Sequence, residues 1–404
     1  MSRDDAAWVT GMGAVAPNGI GVEDYWDATL QGRSGLYPIS RFDASAYPVR
    51  VAGEVLDFDA SRYLSPRLLA QTDRMTRYAL AAADWAVADA EVLPGLGADL
   101  GVVTAAAAGG FEFGQRELGK LWGEGPDRVS AYQSFAWFYA VNTGQISIRH
   151  GLRGNSSVLV SGQAGGLDAV AQSARMVRKG TNSLMLTGGF EASVCPWGLA
   201  AQCVMGGAST EPDPRWAYRP FDEHATGSVP GEGGAALVVE SAAGAVERGA
   251  RRVYGRITGH AATFDPPPGS GREPGLARAI RLALRDGAVP VGEVDAVFAD
   301  ADGSPDRDRA EIDALSEVFG VAGVPVAAPK SMTGRLDSGG APLDVVAALL
   351  SLRDGVLPPT IGARSVPPEL DLVLDAPREL PLRTVLVLAR GHGGFNSALV
   401  LSAV

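Results

Sequence analysis

Cysteine is scarce: Cys195 and Cys203 are the only two in 404 residues. That excludes a disulfide framework or a cysteine-rich zinc site, and it fits a reducing cytoplasm. Long apolar runs are missing too. No stretch reaches the roughly eighteen uninterrupted apolar residues that a membrane span needs, so no membrane association is expected. The opening Met1-Ser2-Arg3-Asp4-Asp5 lacks the basic and apolar regions of a secretory leader. Positive charge is in deficit, with a formal net charge of −11, which would repel the phosphates of a nucleic acid. Lysine is nearly absent as well. Only Lys120, Lys179 and Lys330 occur, so a lysine inside a motif stands out.

Apolar residues make up 46% of the chain, enough for a large core and for two domains or one duplicated domain. Apolar runs alternate with amphipathic stretches and Gly-rich turns, the pattern of an α/β fold. Strands are predicted at Leu100–Thr104, Ser157–Ser161, Ser183–Thr187, Ala235–Glu240, Val294–Phe298, Thr384–Leu388 and Ser397–Leu401. A helix is predicted from Asp73 to Asp89, which is rich in Ala and free of Gly and Pro.

The second half echoes the first. From Val158 and again from Val324 the chain reads strand, Gly-rich elbow, helix. Leu167-Asp-Ala-Val170 answers Leu343-Asp-Val-Val346, and Arg178-Lys-Gly180 answers Arg353-Asp-Gly355. A Gly-Gly-Phe follows in each half, at Thr187–Phe190 and His392–Phe395. These matches predict a duplication, with halves at 1–245 and 246–404 and a boundary in the Ala/Gly/Glu-rich stretch Ala242–Arg251. A long loop, Phe264–Glu273, comes soon after it.

The elbow Ser161-Gly-Gln-Ala-Gly-Gly166 would set one side chain at a helix start, where backbone N–H groups and the helix dipole favour negative charge. A thiol there would be an activated nucleophile. The chain has Gln163 instead, and an amide cannot attack an acyl group. Neither cysteine follows a Gly-rich elbow, and Cys195 precedes Pro196, so both read as buried, inert thiols. No G-x-S-x-G elbow occurs for a serine hydrolase.

Six landmarks now stand in order: Val9-Thr-Gly-Met-Gly-Ala-Val15, the elbow, Arg219-Pro-Phe-Asp222, Gly231-Glu-Gly-Gly234, Pro329-Lys-Ser-Met332 and Gly393-Gly-Phe-Asn-Ser397. With them the chain resembles the β-ketoacyl synthases from end to end. The resemblance implies a thiolase-like fold, with two duplicated βαβαβαββ halves packed as a layered αβαβα body. An active member would carry a Cys at the elbow and two His residues for malonyl decarboxylation and oxyanion stabilisation. Here Gln163 replaces the Cys, while Asp300 and Arg335 stand at the two His positions. His150, His224, His260 and His392 lie elsewhere and read as surface or structural. No catalytic residue is therefore expected. Asp300 and Arg335 are expected to pair and plug the vacated pocket. Lys330 and Glu311, at the family's Lys and acid positions, are expected to form a second buried pair.

Gly162-Gln-Ala-Gly-Gly-Leu-Asp168, Phe135-Ala-Trp-Phe-Tyr-Ala-Val-Asn-Thr-Gly-Gln145 and Thr333-Gly-Arg-Leu-Asp-Ser-Gly-Gly340 narrow the resemblance to the chain length factors. These are the ketosynthase β subunits of type II aromatic polyketide synthases. Such subunits form a heterodimer with a Cys-bearing ketosynthase α subunit, and the poly-β-ketone grows into a tunnel at their interface. The resemblance implies no cofactor of the chain's own, because acyl groups arrive on the phosphopantetheine of an acyl carrier protein. It also places a tunnel helix after Gly109-Gly110, with Phe111, Gly114 and Leu118 on one face. An absent side chain at Gly114 and a modest one at Leu118 suggest a longer product, on the order of ten acetate units rather than eight, judged from volume. Two alternatives stand beside this reading: a malonyl-carrier protein decarboxylase using Gln163, and a purely structural scaffold.

Overall fold

The computed structural model describes residues 6–92, 99–267 and 269–404. Met1–Asp5 and Pro268 of the long loop lie outside the described residues. The first half supplies strands β1 (Ala7–Ala16), β2 (Leu100–Ala105), β3 (Ser156–Leu159), β4 (Leu184–Glu191) and β5 (Gly233–Ser241). The second supplies β6 (Gly255–Phe264), β7 (Ala296–Phe298), β8 (Pro325–Ala327), β9 (Asp371–Leu372), β10 (Thr384–Arg390) and β11 (Phe395–Ser402).

Their spatial order is β9-β8-β7-β10-β11-β6-β1-β5-β4-β2-β3, and the two arms mirror each other. In the first arm β3, β2 and β4 are parallel while β5 and β1 run antiparallel. In the second, β8, β7 and β10 are parallel while β11 and β6 run antiparallel. Each arm is built from one half's strands, and a short pairing of Ala7–Val9 with Ile257–Gly255 joins the two arms edge to edge.

Eight helices position the site: α1 (Arg74–Asp89), α2 (Phe111–Glu124), α3 (Val141–His150), α4 (Gly165–Arg178), α5 (Pro196–Met205), α6 (Leu276–Asp286), α7 (Pro305–Phe319) and α8 (Gly340–Asp354). Helices α4 and α8 pack on each other between the two arms. The α8 sequence is apolar nearly all round, and it is buried without a break from Ala341 to Leu352, as a central helix must be. The contact is tight: a Cβ on Gly166 would lie 2.2 Å from the Ser338 carbonyl oxygen and 2.3 Å from Pro342 Cδ. On the outside, α1 covers β1, β5 and β4, while α6 covers β6 and β11 and packs on α7. The result is five layers, αβαβα. Asp73 caps α1, accepting the Met75 N–H at 2.9 Å, and its other oxygen accepts the Phe113 N–H at 2.8 Å. One carboxylate thereby ties the starts of α1 and α2.

The echo between halves holds for the central helices. Leu167-Asp168 sits in α4 where Leu343-Asp344 sits in α8. The Gly-Gly-Phe match does not hold, because β4 runs through Gly188-Gly189-Phe190 whereas His392–Gly394 form the turn between β10 and β11. The expected boundary stretch contains a short helix, Ala242–Glu247, that leads to β6. The proposed division at 245/246 puts β1–β5 in one half and β6–β11 in the other.

Candidate functional site

Strand β3 ends at Leu159, the chain turns through Gly162 at φ +57°, and α4 begins at Gly165. Gln163 stands in this turn, half-buried. Its Nε2 donates to Asp337 Oδ1 at 3.1 Å, so the amide is already engaged.

Asp300 follows β7 and Arg335 follows the turn after β8. Both side chains are buried, and they face each other. Arg335 Nη1 donates to the Asp300 carbonyl at 2.8 Å, and Nη2 donates to Asp300 Oδ1 at 3.1 Å. The Arg390 N–H adds a bond to the same carboxylate oxygen at 2.8 Å. Burial pushes the Asp300 carboxyl up, but Arg335, then Lys330, Arg307 and Arg390, bring it down to about 2. Between Gln163, Asp300, Lys330, Arg335 and Asp337 the open cavity is about 10 Å³. That is at the lower bound for a single water molecule, roughly 10–15 Å³.

Lys330 does not pair with Glu311. Its Nζ donates to the Ala299 carbonyl at 2.7 Å and lies 2.7 Å from Asp344 Oδ2, a close charge contact rather than an aligned hydrogen bond. Glu311 is spent on the backbone, accepting the N–H groups of Asp300 and Ala301 at 2.8 and 2.9 Å. The reason is local. The turn after β7 leaves two buried N–H groups, with Ala301 at φ +49°, and a carboxylate reaching back from α7 satisfies both. Asp344 on α8 is then the acid within reach of the lysine. Burial raises the Asp344 carboxyl to about 6, with Lys330 opposing that rise.

Phe111, Gly114 and Leu118 lie on α2 as expected, but the space above Gly114 is occupied. A Cβ there would sit 3.2 Å from the Trp197 ring and 3.5 Å from Trp137 Cβ. Trp197, on α5, stacks on Phe111 with centroids 4.9 Å apart. Gly114 thus makes room for an indole, and Leu118 stays half-buried nearby. The sequence reading missed Trp197; the only cue was an aromatic beside Pro196. It also missed that Cys195 caps α5, its Sγ accepting the Gly198 N–H at 3.5 Å. Burial nevertheless pushes this thiol up to about 11, so it stays inert.

The four histidines do not line the pocket between Gln163, Asp300 and Arg335. His224 and His392 are exposed, and His150 contacts Asp84 at 3.2 Å. His260 Nε2 lies 3.1 Å from Ser397 Oγ and 3.4 Å from Asp168 Oδ1, while Ser161 donates to Asp168 Oδ2 at 2.8 Å. These contacts brace the elbow from beneath.

A layered αβαβα body with an elbow between its halves defines a condensing-enzyme architecture. Residues 5–245 match the family model for the β-ketoacyl synthase N-terminal domain, and residues 254–364 match that for its C-terminal domain. The chain belongs to the β-ketoacyl synthase family. It is 64% identical over 405 residues to the tetracenomycin polyketide synthase ketoacyl synthase beta subunit of Streptomyces glaucescens, covering 99% of both chains. It superposes on a solved ishigamide ketosynthase/chain length factor chain with TM-score 0.91 and 30% identity over 99% of both. A chain from a type II polyketide acyl-carrier protein in complex with its ketosynthase bound to the hexaketide gives TM-score 0.87 at 26% identity, again over 99% of both.

Proposed function

We propose that this chain is the non-catalytic partner of a Cys-bearing ketosynthase α subunit in a type II polyketide synthase. It completes the heterodimer and the polyketide tunnel, and it sets the length of the poly-β-ketone made by decarboxylative condensation on the partner. Acyl groups reach the complex on the phosphopantetheine of an acyl carrier protein, and the complex works in the cytoplasm. The observation that carries this reading is the plugged site. The fold of a condensing enzyme is intact, yet Asp300 and Arg335 pair across the pocket and Asp337 holds Gln163 beside them.

A partner surface supports it. Strand β3 ends the sheet, leaving one side of its backbone unpaired, and Val160 beyond it is 53% exposed. Trp137, Phe138 and Tyr139 lead into α3 and stay 46%, 40% and 40% exposed, a cluster that a lone chain has little reason to leave in water. Thr143 on α3 donates to the Ser157 carbonyl of β3 at 3.3 Å, so the helix that follows these aromatics packs on the edge strand. Among the described residues no helix is long and apolar enough to cross a membrane.

The decarboxylase alternative lacks room, because the Gln163 amide is held by Asp337 in a pocket of about 10 Å³. Co-expression with a Cys-bearing ketosynthase, followed by mass analysis of the product, tests the proposal. Co-purification and chain elongation by the pair alone are expected. Elongation, or carbon dioxide release from malonyl-carrier protein, by the isolated chain would overturn it.

A further inference from the structure

Asp337 holds two glutamines from different parts of the chain. Gln163, in the elbow, donates to Oδ1 at 3.1 Å, and Gln202, on α5, donates to Oδ2 at 3.3 Å. The backbone of Asp337 is left-handed, at φ +42°, which few non-glycine residues adopt without support. Support comes from residues on either side. The Arg335 N–H donates to the Val229 carbonyl at 2.8 Å, and Ser338 Oγ donates to the buried Glu191 at 2.6 Å. The carboxylate is therefore a fixed point, half-buried beside the elbow.

Helix α5 needs one. Only Gly198 and Leu199 of its ten residues are buried, and Val204 and Met205 at its end are exposed. With so little apolar contact, polar ties decide where it lies. At its start the Trp197 N–H donates to Gln115 of α2 at 2.6 Å. Toward its far end Gln202 reaches Asp337. Trp197 is held between these ties, and its ring stacks on Phe111 and covers Gly114.

We propose that Gln163, Asp337 and Gln202 form a clamp that positions the Trp197 ring over α2, so that the residue at the vacated nucleophile position helps set product length. Gln163 is then a positioning residue, acting through Asp337 and α5. The inference rests on the reading that α2 and Trp197 line the polyketide tunnel. It assigns the amide a purpose that neither a decarboxylase nor an idle scaffold supplies.

The test uses the intact heterodimer with its acyl carrier protein. Gln202→Leu and Gln163→Ala each remove one arm of the clamp. Asp337→Gly removes both arms while allowing the left-handed backbone. Two readouts are taken: hydrogen exchange of the amides in 196–205, and the mass distribution of the products. All three variants are expected to speed exchange in α5 by about tenfold or more, and to shift or broaden the product lengths. Trp197→Ala is expected to shift the lengths directly. If Trp197→Ala shifts the products while the clamp variants change neither readout, the clamp is wrong and the tunnel reading stands. If Trp197→Ala leaves product length fixed, the tunnel reading fails and the clamp falls with it. Should Asp337→Gly fail to fold, Gln202→Leu on the lightly buried helix decides the matter alone.

Discussion

Arg335 holds Asp300 at three points: the backbone carbonyl at 2.8 Å and the carboxylate at 3.1 and 3.2 Å. In an active β-ketoacyl synthase, family resemblance puts two histidines in these places. Here the pair fills the space between the turns after β7 and β8 and forms a buried strut. A buried ion pair of this kind holds geometry more than it adds stability.

Breaking one side of that strut is expected to cost more than removing it. Asp300→Ala leaves the buried guanidinium only Asp302, at 3.7 Å, as an acid partner, and is expected to lower stability by about 3 kcal/mol. Asp300→Ala with Arg335→Ala is expected to lower it less. Urea unfolding midpoints of the wild type, both single variants and the double variant measure the coupling. Additive losses would mean that the two side chains do not depend on each other.

The same pair predicts an acid limb. The folded-state value of Asp300, about 2, lies below its ordinary 3.8, so the folded protein resists protonation there. Its contribution is fully present above the ordinary value and is lost as pH falls toward 2. Between pH 5.5 and pH 3 the wild type is expected to lose about 1 kcal/mol more stability than Asp300→Asn. Parallel curves for the two proteins would remove the ion pair from the account.

Glu191 titrates the other way. Burial, and then the charge of Asp337, raise this carboxyl from 4.5 to about 8. A carboxyl raised on folding contributes stability that is present below 4.5 and is lost as pH rises through 8. Thermal unfolding at pH 6 and pH 9 is expected to show a larger drop for the wild type than for Glu191→Gln. A matching drop in both would assign the alkaline loss elsewhere.

Product length is expected to respond to the surface around Trp197. Gly114→Thr pushes side-chain atoms into an indole that already stands 3.2 Å from the Cβ position. It is expected to displace that ring and, with Leu118→Phe, to shorten the product of the reconstituted heterodimer. Mass spectrometry of the released polyketide reads the result. Unchanged length in the double variant would take α2 out of the tunnel wall.

Cys195 is expected to resist alkylation. It caps a helix, a position that ordinarily acidifies a thiol, yet burial holds it near 11. At pH 7 iodoacetamide is expected to label it far more slowly than free cysteine, as followed by peptide mass. Rapid labelling would show the thiol to be exposed and acidic.

The order of elements was legible in the residues alone, and so was the set of residues that the family resemblance marks out. Strand and helix patterning, the elbow at Ser161–Gly166, and the residues Gln163, Asp300 and Arg335 are properties of local sequence and motif spacing. They keep their meaning wherever the chain goes. Which charges meet was decided by tertiary structure. Glu311 turned to two orphaned N–H groups after β7, leaving Lys330 to Asp344 on a helix brought in from 14 residues further along. Trp197 likewise came to Gly114 from 83 positions away, because α5 folds back over α2. Hydrogen-bond demand and packing at close range are properties of neighbours in space, and a pattern along the chain carries no record of them until the layers have closed.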